Sequence, residues 1–487
     1  MKNVTVIYDD RTMPGRKVRS ITGDKSFGET ILKRVPLTER IRSVAMNCKN
    51  TRDFIVLSGS DDFEKLNKEL INKKTSENTG FLYMYSNYAI RNEEEFKTLI
   101  QKTLYVEDPY VALCSGRSAA YLIPDKKSLM AAEEELTDRS LKADEIDQDS
   151  FTDLSDMNAF LSYITGGFDA RFFNALEGDA YTVTKKSNKV EKIKSEYKFY
   201  EMLPDDMKKW FVMPYDYREE AGGASYTMER IHTTDIAIRF VHGAVSKEEL
   251  GDILEKLFYF IRTRESVTKS PAEVEENAKQ LYITKVRERM EELKKSEQYK
   301  RFDDMIAMGT SYESIDALVT AYEDLYGRLR RKAAASDKNM NTRLVIGHGD
   351  LCFSNILYSR QAGLLKLIDP KGALEEEGMY SDAYYDIAKL SHSVCGGYDF
   401  FNSGLYQVSL DRDLKWKLSL DADLSGYREV FREYLRKEGY DYAYVRICEA
   451  GLFLSMLPYH MDQPGKVFGF LLNAIGILEE IKREENL

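Results

Sequence analysis

The stretch LVIGHGDLCFSNILYSRQAGLLKLID, residues 344–369 of this 487-residue chain, constrains the fold more than any other part of the sequence. It begins and ends with apolar runs that are short enough to be buried strands. The loop between the runs carries His348, Asp350 and Asn355, and Asp369 directly follows the second run. The pattern therefore predicts a strand–loop–strand unit with a polar site along its loop.

The residue types in this loop favour phosphoryl transfer. Such a reaction needs the phosphates, a metal ion and the acceptor hydroxyl to be held in line, with little covalent chemistry from the protein. Asp350 is placed to accept or orient the proton of the acceptor hydroxyl, and His348 is the second candidate catalytic residue, better suited to bracing the loop. Asn355 and Asp369 offer the hard oxygen ligands that magnesium prefers.

Candidate ATP-binding residues lie upstream. A predicted strand ends near Lys185 and Lys186, and the following predicted helix contains Glu196. In kinases a lysine supplies positive charge to the α and β phosphates while a helix glutamate keeps it aimed. Lys185 is preferred and Lys186 is the alternative. A later apolar strand ends at Met228 and Glu229, which we predict as a hinge that meets the adenine edge.

The segments VIGHGDLCFSNILYS, LKLIDPKG and DAYYDIAKLSHS resemble the aminoglycoside phosphotransferase and choline kinase family, a branch of the protein-kinase-like fold. The resemblance implies that Asp350 is catalytic, that Asn355 and Asp369 bind magnesium, and that Asp386 anchors the catalytic loop from below. It also implies ATP and magnesium as cofactors and a small hydroxylated acceptor. The segment DPKGALEEEGMYSD departs from the family pattern and leaves the substrate class open.

Pattern and resemblance together predict two domains. Residues 1–140 alternate short strands and helices, which predicts an α/β domain. Residues 157–487 are predicted as an α+β two-lobed protein-kinase-like domain, with an N-lobe over about 157–235 and a large helical C-lobe over about 236–487. The acidic stretch 130–156 between them is predicted as a linker or a solvated connecting helix, with the domain boundary inside it.

Individual elements follow from the same periodicities. Strands are predicted in the first domain at 4–8, 54–58, 81–85, 110–114 and 119–123, and helices at 29–43, 61–73 and 93–104. In the second domain strands are predicted at 171–176 and 180–186. Helices are predicted there at 189–203, 248–264, 273–295, 314–335, 380–393, 424–437, 442–457 and 466–483.

The loop after the first predicted strand is basic and carries Gly15, with arginines at 11, 16 and 19 and a lysine at 25. It faintly resembles the opening of sugar-nucleotide and phosphocholine nucleotidyltransferases. A surface loop in a purely structural domain is the competing interpretation. If the first domain is active, the chain is a bifunctional kinase and nucleotidyltransferase that builds an activated precursor for surface glycans.

Composition excludes other classes. The net charge of −11 and a pI near 5.3 argue against nucleic-acid binding, which needs a clustered basic surface. The five cysteines form no zinc or disulfide pattern. With no run of 18 apolar residues, we expect a cytoplasmic protein without membrane insertion. A nucleotide-binding pseudokinase or scaffold remains the alternative function, and the intact Asp350, Asn355 and Asp369 favour an enzyme.

Overall fold

The computed structural model describes residues 2–59, 63–73, 75, 79–146, 149–165, 174–179 and 181–486. The chain folds as two compact units. The first comprises Met1–Gly167 with His242–Ala244, and the second comprises Phe168–Val241 with Val245–Leu487. The division at Gly167 falls later in the chain than the predicted one, which lay between residues 140 and 157. No helix among the described residues is long and apolar enough to span a membrane.

The first unit is built on a six-stranded mixed sheet. In spatial order its strands are Thr51–Leu57, Asn3–Asp9, Thr79–Tyr85, Arg117–Ile123, Tyr110–Cys114 and Asp144–Ile146. The first three are parallel, and Arg117–Ile123 runs antiparallel to both of its neighbours. Every residue of Thr79–Tyr85 is buried, as expected for a central strand covered on both faces. The α/β class and the five predicted strands of this unit are confirmed.

The helices of the first unit are Arg16–Thr22, Leu37–Met46, Phe63–Asn72, Glu93–Lys102, Lys126–Ala131, Glu133–Thr137 and Met157–Ile164. The helix predicted at 61–73 begins at Phe63, and residues 61 and 62 lie outside the described part of the chain. The helix predicted at 29–43 is wrong in its first half. There the short strands Ile31–Leu32 and Val35–Pro36 form a hairpin, whose turn residues Lys33 and Arg34 have φ of 49° and 71°, which no helix contains.

The linker predicted at 130–156 is also wrong. Residues Asp144–Ile146 pair in parallel with Tyr110–Cys114 at the sheet edge, and Phe151–Asp153 pairs with the strand Tyr88–Ile90. Phe151 is buried, and the backbone of this acidic stretch finds its hydrogen-bond partners in strands of the first unit. The stretch is therefore part of the first unit rather than a solvated connection.

The second unit begins with a small antiparallel sheet. Its four strands are, in spatial order, Asn174–Gly178, Thr182–Ser187, Gly223–Glu229 and Pro214–Glu220. The helix Val190–Met202 packs on the sheet through Ile193, which meets Ala224 and Tyr226 in a small apolar core. The short helix Asp205–Lys208 follows. The strands predicted at 171–176 and 180–186 fall partly on residues 171–173 and 180, which lie outside the described residues.

The rest of the second unit is mainly helical. Its α-helices are Ile236–Val241, Lys247–Thr263, Pro271–Lys279, Lys285–Lys294, Tyr299–Gly309, Ile315–Ser336, Tyr385–Val394, Tyr398–Asn402, Ser425–Lys437, Tyr442–Met456 and Pro464–Glu484. A π-helical turn, Gln280–Thr284, joins the third and fourth. The strands are Ser266–Thr268, Arg343–Ile346, Ile356–Ser359, Leu364–Leu367, Tyr380–Asp382, Tyr406–Leu410 and Trp416–Leu420. Helix Tyr442–Met456 is buried on all sides, which places it at the centre of this core.

The helix predicted at 380–393 begins later than expected. Tyr380–Asp382 is a strand that pairs with Arg343–Ile346, and the helix starts at Tyr385. Its first turn therefore follows a strand that pairs with Arg343–Ile346, the strand that leads into the loop with Asp350. A small antiparallel sheet with one packed helix, followed by a large helical part, confirms the predicted two-lobed protein-kinase-like fold of the second unit.

Candidate active site

The loop between the strands Arg343–Ile346 and Ile356–Ser359 is held by hydrogen bonds to the Asp386 carboxylate. Asp386 lies in the first turn of helix Tyr385–Val394. One Asp386 oxygen accepts the His348 N–H at 2.8 Å, and the other accepts the Gly349 N–H at 2.8 Å. Arg264 Nη1 donates to the same carboxylate at 2.8 Å, and both side chains are 1% exposed. The predicted anchor Asp386 thus lies beneath the loop, with an arginine that sequence reasoning missed.

Replacing Asp386 by alanine is expected to lower the free energy of unfolding by about 3–5 kcal/mol, because the Arg264 charge then stays buried without its partner. Urea unfolding followed by circular dichroism measures this loss. The matched control is Arg432→Ala, which removes an exposed pair with Glu484 at 2.7 Å and should cost about 1 kcal/mol or less. Equal losses in the two variants would contradict the anchoring role of Asp386.

His348 braces the loop rather than exchanging protons. Its ring is fully buried and stacks on Phe211 with centroids 5.8 Å apart. The Asp350 N–H donates to Nδ1 at 3.2 Å, so the hydrogen-bond network assigns the ring proton to Nε2, which donates to the Ile368 carbonyl at 2.9 Å. Burial lowers the pKa of His348 below its usual value. Since both ring nitrogens are engaged, the geometry argues against the predicted catalytic role of His348.

Asp350 is the accessible carboxylate of the loop, with 43% of its side chain exposed. Lys389 Nζ lies 2.9 Å from its Oδ1, and Asn355 Nδ2 donates to its Oδ2 at 3.1 Å. Burial disfavours the charge of Lys389, but the Asp350 carboxylate outweighs burial and raises the pKa of Lys389. The two contacts fix the direction of the Asp350 side chain and leave one face open to a substrate.

Sequence reasoning missed Lys389. The only sequence signal is its position three residues after Asp386 in YYDIAKL, which places the two side chains on the same helix face. That spacing is common in helices and does not by itself indicate a site.

Lys185, Glu196 and Asp369 form a charged triad. Lys185 Nζ lies 2.7 Å from Glu196 Oε2 and 2.8 Å from Asp369 Oδ1, although the three residues come from a strand, a helix and a distant loop. Tyr226, another residue that the sequence did not reveal, donates its hydroxyl to Glu196 at 2.9 Å. Burial disfavours the charge of Lys185, and the two carboxylates outweigh burial and raise the pKa of Lys185. Lys186 is exposed, as the alternation of a strand requires, so the geometry favours Lys185 over Lys186.

The backbone after Leu364–Leu367 aims Asp369 into this triad. Asp369 has a φ of 54°, which is uncommon for a residue other than glycine and costs energy that the surrounding contacts must offset. Those contacts lie within four residues after Asp369. The Lys371 N–H donates to the His348 carbonyl at 2.8 Å, and the Ala373 N–H donates to the Ser195 carbonyl at 3.0 Å. Gly372 has a φ of 82°, and a Cβ there would lie 2.6 Å from the Ser195 carbonyl carbon.

Asn355 and Asp369 have the donor chemistry for magnesium. Asn355 points its Nδ2 at Asp350, which leaves its amide oxygen as the atom for a cation. Asp369 keeps 42% of its side chain exposed while one oxygen contacts Lys185. A carboxylate and an amide oxygen suit an ion that keeps several waters and binds phosphate oxygens, so the residues present fit the implied magnesium.

Met228 and Glu229 end the strand Gly223–Glu229, where Met228 pairs with Val183. The helical part begins shortly afterwards at Ile236–Val241. The two residues predicted as a hinge therefore lie where the small sheet joins the helical part.

The small sheet with its packed helix and the large helical part that follows have the arrangement of the protein-kinase-like fold. No family model matches the sequence, and no curated protein matches it either. Among solved structures, a thermostable mutant of aminoglycoside phosphotransferase APH(4)-Ia is 11% identical, with 67% of this chain and 98% of that chain covered and a TM-score of 0.37. APH(3'')-Id from Streptomyces rimosus, in complex with ADP and streptomycin, is 14% identical, with coverages of 62% and 98% and a TM-score of 0.34. A Plasmodium vivax ethanolamine kinase is 15% identical, with coverages of 63% and 78% and a TM-score of 0.34.

Proposed function

We propose that the second unit is a small-molecule kinase, an enzyme that transfers the γ-phosphoryl group of ATP to a hydroxyl of a small molecule. The observation that carries this proposal is Lys185, whose buried ammonium group contacts Glu196 at 2.7 Å and Asp369 at 2.8 Å. A lysine held in this way beside an exposed carboxylate suits the phosphates and the metal of a bound nucleotide. Because the proposed reaction consumes ATP, we expect the protein to act in the cytoplasm.

Each residue then has a distinct role. Lys185 supplies positive charge to the nucleotide phosphates, and Glu196 keeps it in place. Asn355 and Asp369 would hold magnesium, which would supply positive charge to the phosphates. The acceptor oxygen forms a bond to the γ-phosphorus as the bond to the bridging oxygen of ADP breaks. Asp350 orients the acceptor hydroxyl and takes its proton, so that ADP and a phosphate monoester are the products.

Magnesium removal gives the first test of the proposal. Purified protein is incubated with ATP and a panel of sugars, sugar alcohols and amino alcohols, with either magnesium or EDTA, and phosphate esters are detected by phosphorus NMR. We expect ester formation with at least one acceptor in magnesium and none in EDTA, because the metal offsets several kcal/mol of charge in the transition state.

Binding of ATP without turnover of any acceptor would contradict the kinase proposal and favour the pseudokinase or scaffold. ATP binding is followed as an increase in the melting temperature, which requires only that the nucleotide binds the folded state. A kinase therefore gives both a raised melting temperature with ATP and phosphate esters. A pseudokinase or scaffold gives only the raised melting temperature.

The first unit supports a second candidate function, nucleotidyl transfer in the synthesis of surface-glycan precursors. In α/β sheets ligands bind outside the carboxyl ends of parallel strands. The strand Asn3–Asp9 is followed here by the helix Arg16–Thr22, whose Arg16, Lys17 and Arg19 are exposed, so part of the basic segment predicted as a loop is helical. Release of pyrophosphate from CTP or UTP in the presence of the phosphorylated acceptor tests this activity. With no release from either nucleotide, the bifunctional interpretation fails and the kinase proposal stands.

A further inference from the structure

A cavity of about 240 Å³ lies directly beside the loop that carries Asp350. Two of its lining residues, Gly347 and Gly349, belong to that loop, and Gly349 precedes Asp350 in the chain. Lys371 lines the cavity as well, two residues after Asp369. The cavity therefore touches both chain segments on which the proposed reaction depends.

Part of the cavity wall comes from the π-helical turn Gln280–Thr284, through Leu281. Such turns are rare, and those that occur are frequent at functional sites. Lys285 directly follows the turn, and its Nζ donates at 3.3 Å to the hydroxyl of Tyr385, another lining residue. The irregular turn is therefore followed at once by a lysine that contacts the cavity wall.

The Tyr385 hydroxyl connects the cavity with the proposed base. Tyr385 lies one helical turn before Lys389, whose Nζ is 2.9 Å from Asp350 Oδ1. Burial disfavours the phenolate form of Tyr385, but the positive charges of Lys389 and Lys285 outweigh burial and lower the pKa of Tyr385 below its usual value. Because Coulomb interactions weaken with distance, both lysines and the Asp350 carboxylate, which also acts on this hydroxyl, lie near it.

The acids at the cavity are balanced by bases. Glu377, the one acid among the described lining residues, lies 3.3 Å from the Lys269 ammonium group. The half-exposed carboxylate of Asp350 pairs with Lys389 at 2.9 Å. Because opposite charges this close largely cancel at the distance of a ligand, neither carboxylate opposes the binding of an anion.

Two lysines at the cavity have no such partner. Lys371 and Lys285 make no ion pair with a carboxylate in the part of the chain that the structure describes. Lys371 is exposed, and a Cβ at Gly349 would lie only 2.5 Å from the Lys371 Cβ, so the glycine lets the lysine stem lie against the loop. Clefts lined by one sign of charge concentrate ligands of the opposite sign, so these two ammonium groups favour an anion.

Uncharged donors line the same cavity. Asn277 Oδ1 accepts the Asp382 N–H at 3.0 Å, which leaves the Asn277 NH₂ group as a donor. The hydroxyls of Ser381 and Tyr385 can donate as well. Carboxylate and phosphate oxygens only accept hydrogen bonds, and they accept most strongly from charged donors. A volume of about 240 Å³ suits such a group with part of a small molecule behind it.

We propose that this cavity receives an anionic group of the acceptor, a carboxylate or a phosphate, and that the acceptor is a sugar or shorter polyol that carries this group. The proposal rests on the proposed kinase function and names its substrate class. The anionic group meets Lys371, Lys285 and the Tyr385 hydroxyl, while a hydroxyl of the same molecule meets Asp350. That hydroxyl oxygen bonds to the γ-phosphorus, its proton passes to Asp350, and ADP leaves.

Two acceptor series, matched in size and different in charge, test this proposal. The first comprises glucose, glucuronate, glucose 1-phosphate and glucosamine, and the second comprises glycerol, glycerate, glycerol 3-phosphate and ethanolamine. ADP formation by the full-length protein with magnesium ATP is measured for each acceptor, and phosphate esters are detected by phosphorus NMR. Within each series, the carboxylate and the phosphate members distinguish the two kinds of anionic group.

Three variants test the two lysines. Lys371→Met and Lys285→Met remove the charge and keep the length of the side chain, and Lys371→Arg restores a charge. Lys295→Met is the matched control, because Lys295 is exposed, makes no ion pair among the described residues and does not line the cavity.

We expect the best anionic acceptor to have a kcat/KM about tenfold or more above those of its neutral and cationic counterparts, since hydrogen bonds between charged groups are the strong ones. Lys371→Met and Lys285→Met should each raise the KM for this acceptor about tenfold and leave the KM for the neutral one within about twofold. Lys371→Arg should keep most of the affinity, and Lys295→Met should change neither KM. Lys371→Met should leave the melting temperature within about 2 °C, because Lys371 is an exposed residue without an ion pair among the described residues.

Three results would overturn the proposal. Transfer to the neutral or cationic members as fast as to the anionic members would leave the kinase function intact and refute the anionic acceptor. Equal increases of the KM for anionic and neutral acceptors in Lys371→Met would show that Lys371 supports the loop and does not bind the anionic group. If ATP binds and no acceptor of either series is consumed, the kinase function itself fails and the anionic acceptor falls with it.

Discussion

Replacing Asp350 by asparagine is expected to reduce kcat by about 10²–10⁴-fold, the usual contribution of a positioned general base. Asparagine keeps the size of the side chain and an oxygen that can accept from Lys389, which lies 2.9 Å from Asp350 Oδ1. It removes the negative charge and the site for the acceptor proton. The loss is measured as initial rates of ADP formation at saturating acceptor, alongside the ATP dissociation constant by calorimetry.

The two measurements separate chemistry from binding. We expect the ATP dissociation constant to change less than about threefold, because a residue that acts only in the transition state leaves ground-state binding in place. The control is Asp413→Asn, an exposed acid in the turn between Tyr406–Leu410 and Trp416–Leu420, which should change neither quantity. An Asp350→Asn enzyme with more than about a tenth of the original kcat would exclude Asp350 as the base.

The loop that carries His348, Asp350 and Asn355 could be predicted because its residues are close in sequence. The three residues lie on one loop between two apolar strands, so spacing alone determines that they lie near one another. Asp369 comes two residues after the strand Leu364–Leu367, which pairs with Ile356–Ser359, so the strand fixes its approximate position. These short-range relations depend on local geometry that the sequence pattern carries.

The supporting residues could not be predicted, because their partners come from distant elements. Arg264 follows one of several amphipathic helices, and nothing in its neighbourhood indicates that it meets Asp386. Tyr226 occupies a strand position that any apolar side chain could fill, yet its hydroxyl contacts Glu196. Their roles depend on tertiary packing, which periodicity does not report.

The errors in the fold have a similar physical origin. Asp144–Ile146 has two exposed residues out of three, so it lacks the alternation that signals a strand, and it is a strand only because Tyr110–Cys114 offers a free edge. Residues 29–36 have helix-like spacing of apolar residues, but the turn at Lys33 and Arg34 favours a hairpin. In both places tertiary context overrides the local preference.

Replacing Asp369 by asparagine is expected to reduce kcat by about 10³-fold or more, since the metal offsets several kcal/mol of developing charge and each 1.36 kcal/mol corresponds to tenfold in rate. The same change removes a carboxylate 2.8 Å from Lys185 Nζ. The reduction in kcat should therefore combine the loss of a magnesium ligand with the loss of a contact to Lys185. Affinity for ATP measured in magnesium and again in EDTA distinguishes these two contributions.

Loss of a magnesium ligand weakens ATP binding in magnesium and leaves binding in EDTA nearly unchanged. Displacement of the Lys185 side chain weakens ATP binding in magnesium and in EDTA alike. Glu196→Gln is the matched variant, because it removes the other carboxylate from Lys185, at 2.7 Å, and leaves the metal ligands in place. We expect Asp369→Asn to abolish most of the advantage that magnesium gives to ATP binding, and Glu196→Gln to preserve it. If both variants lose that advantage equally, Asp369 acts through Lys185 alone, and the metal site must be sought at other residues.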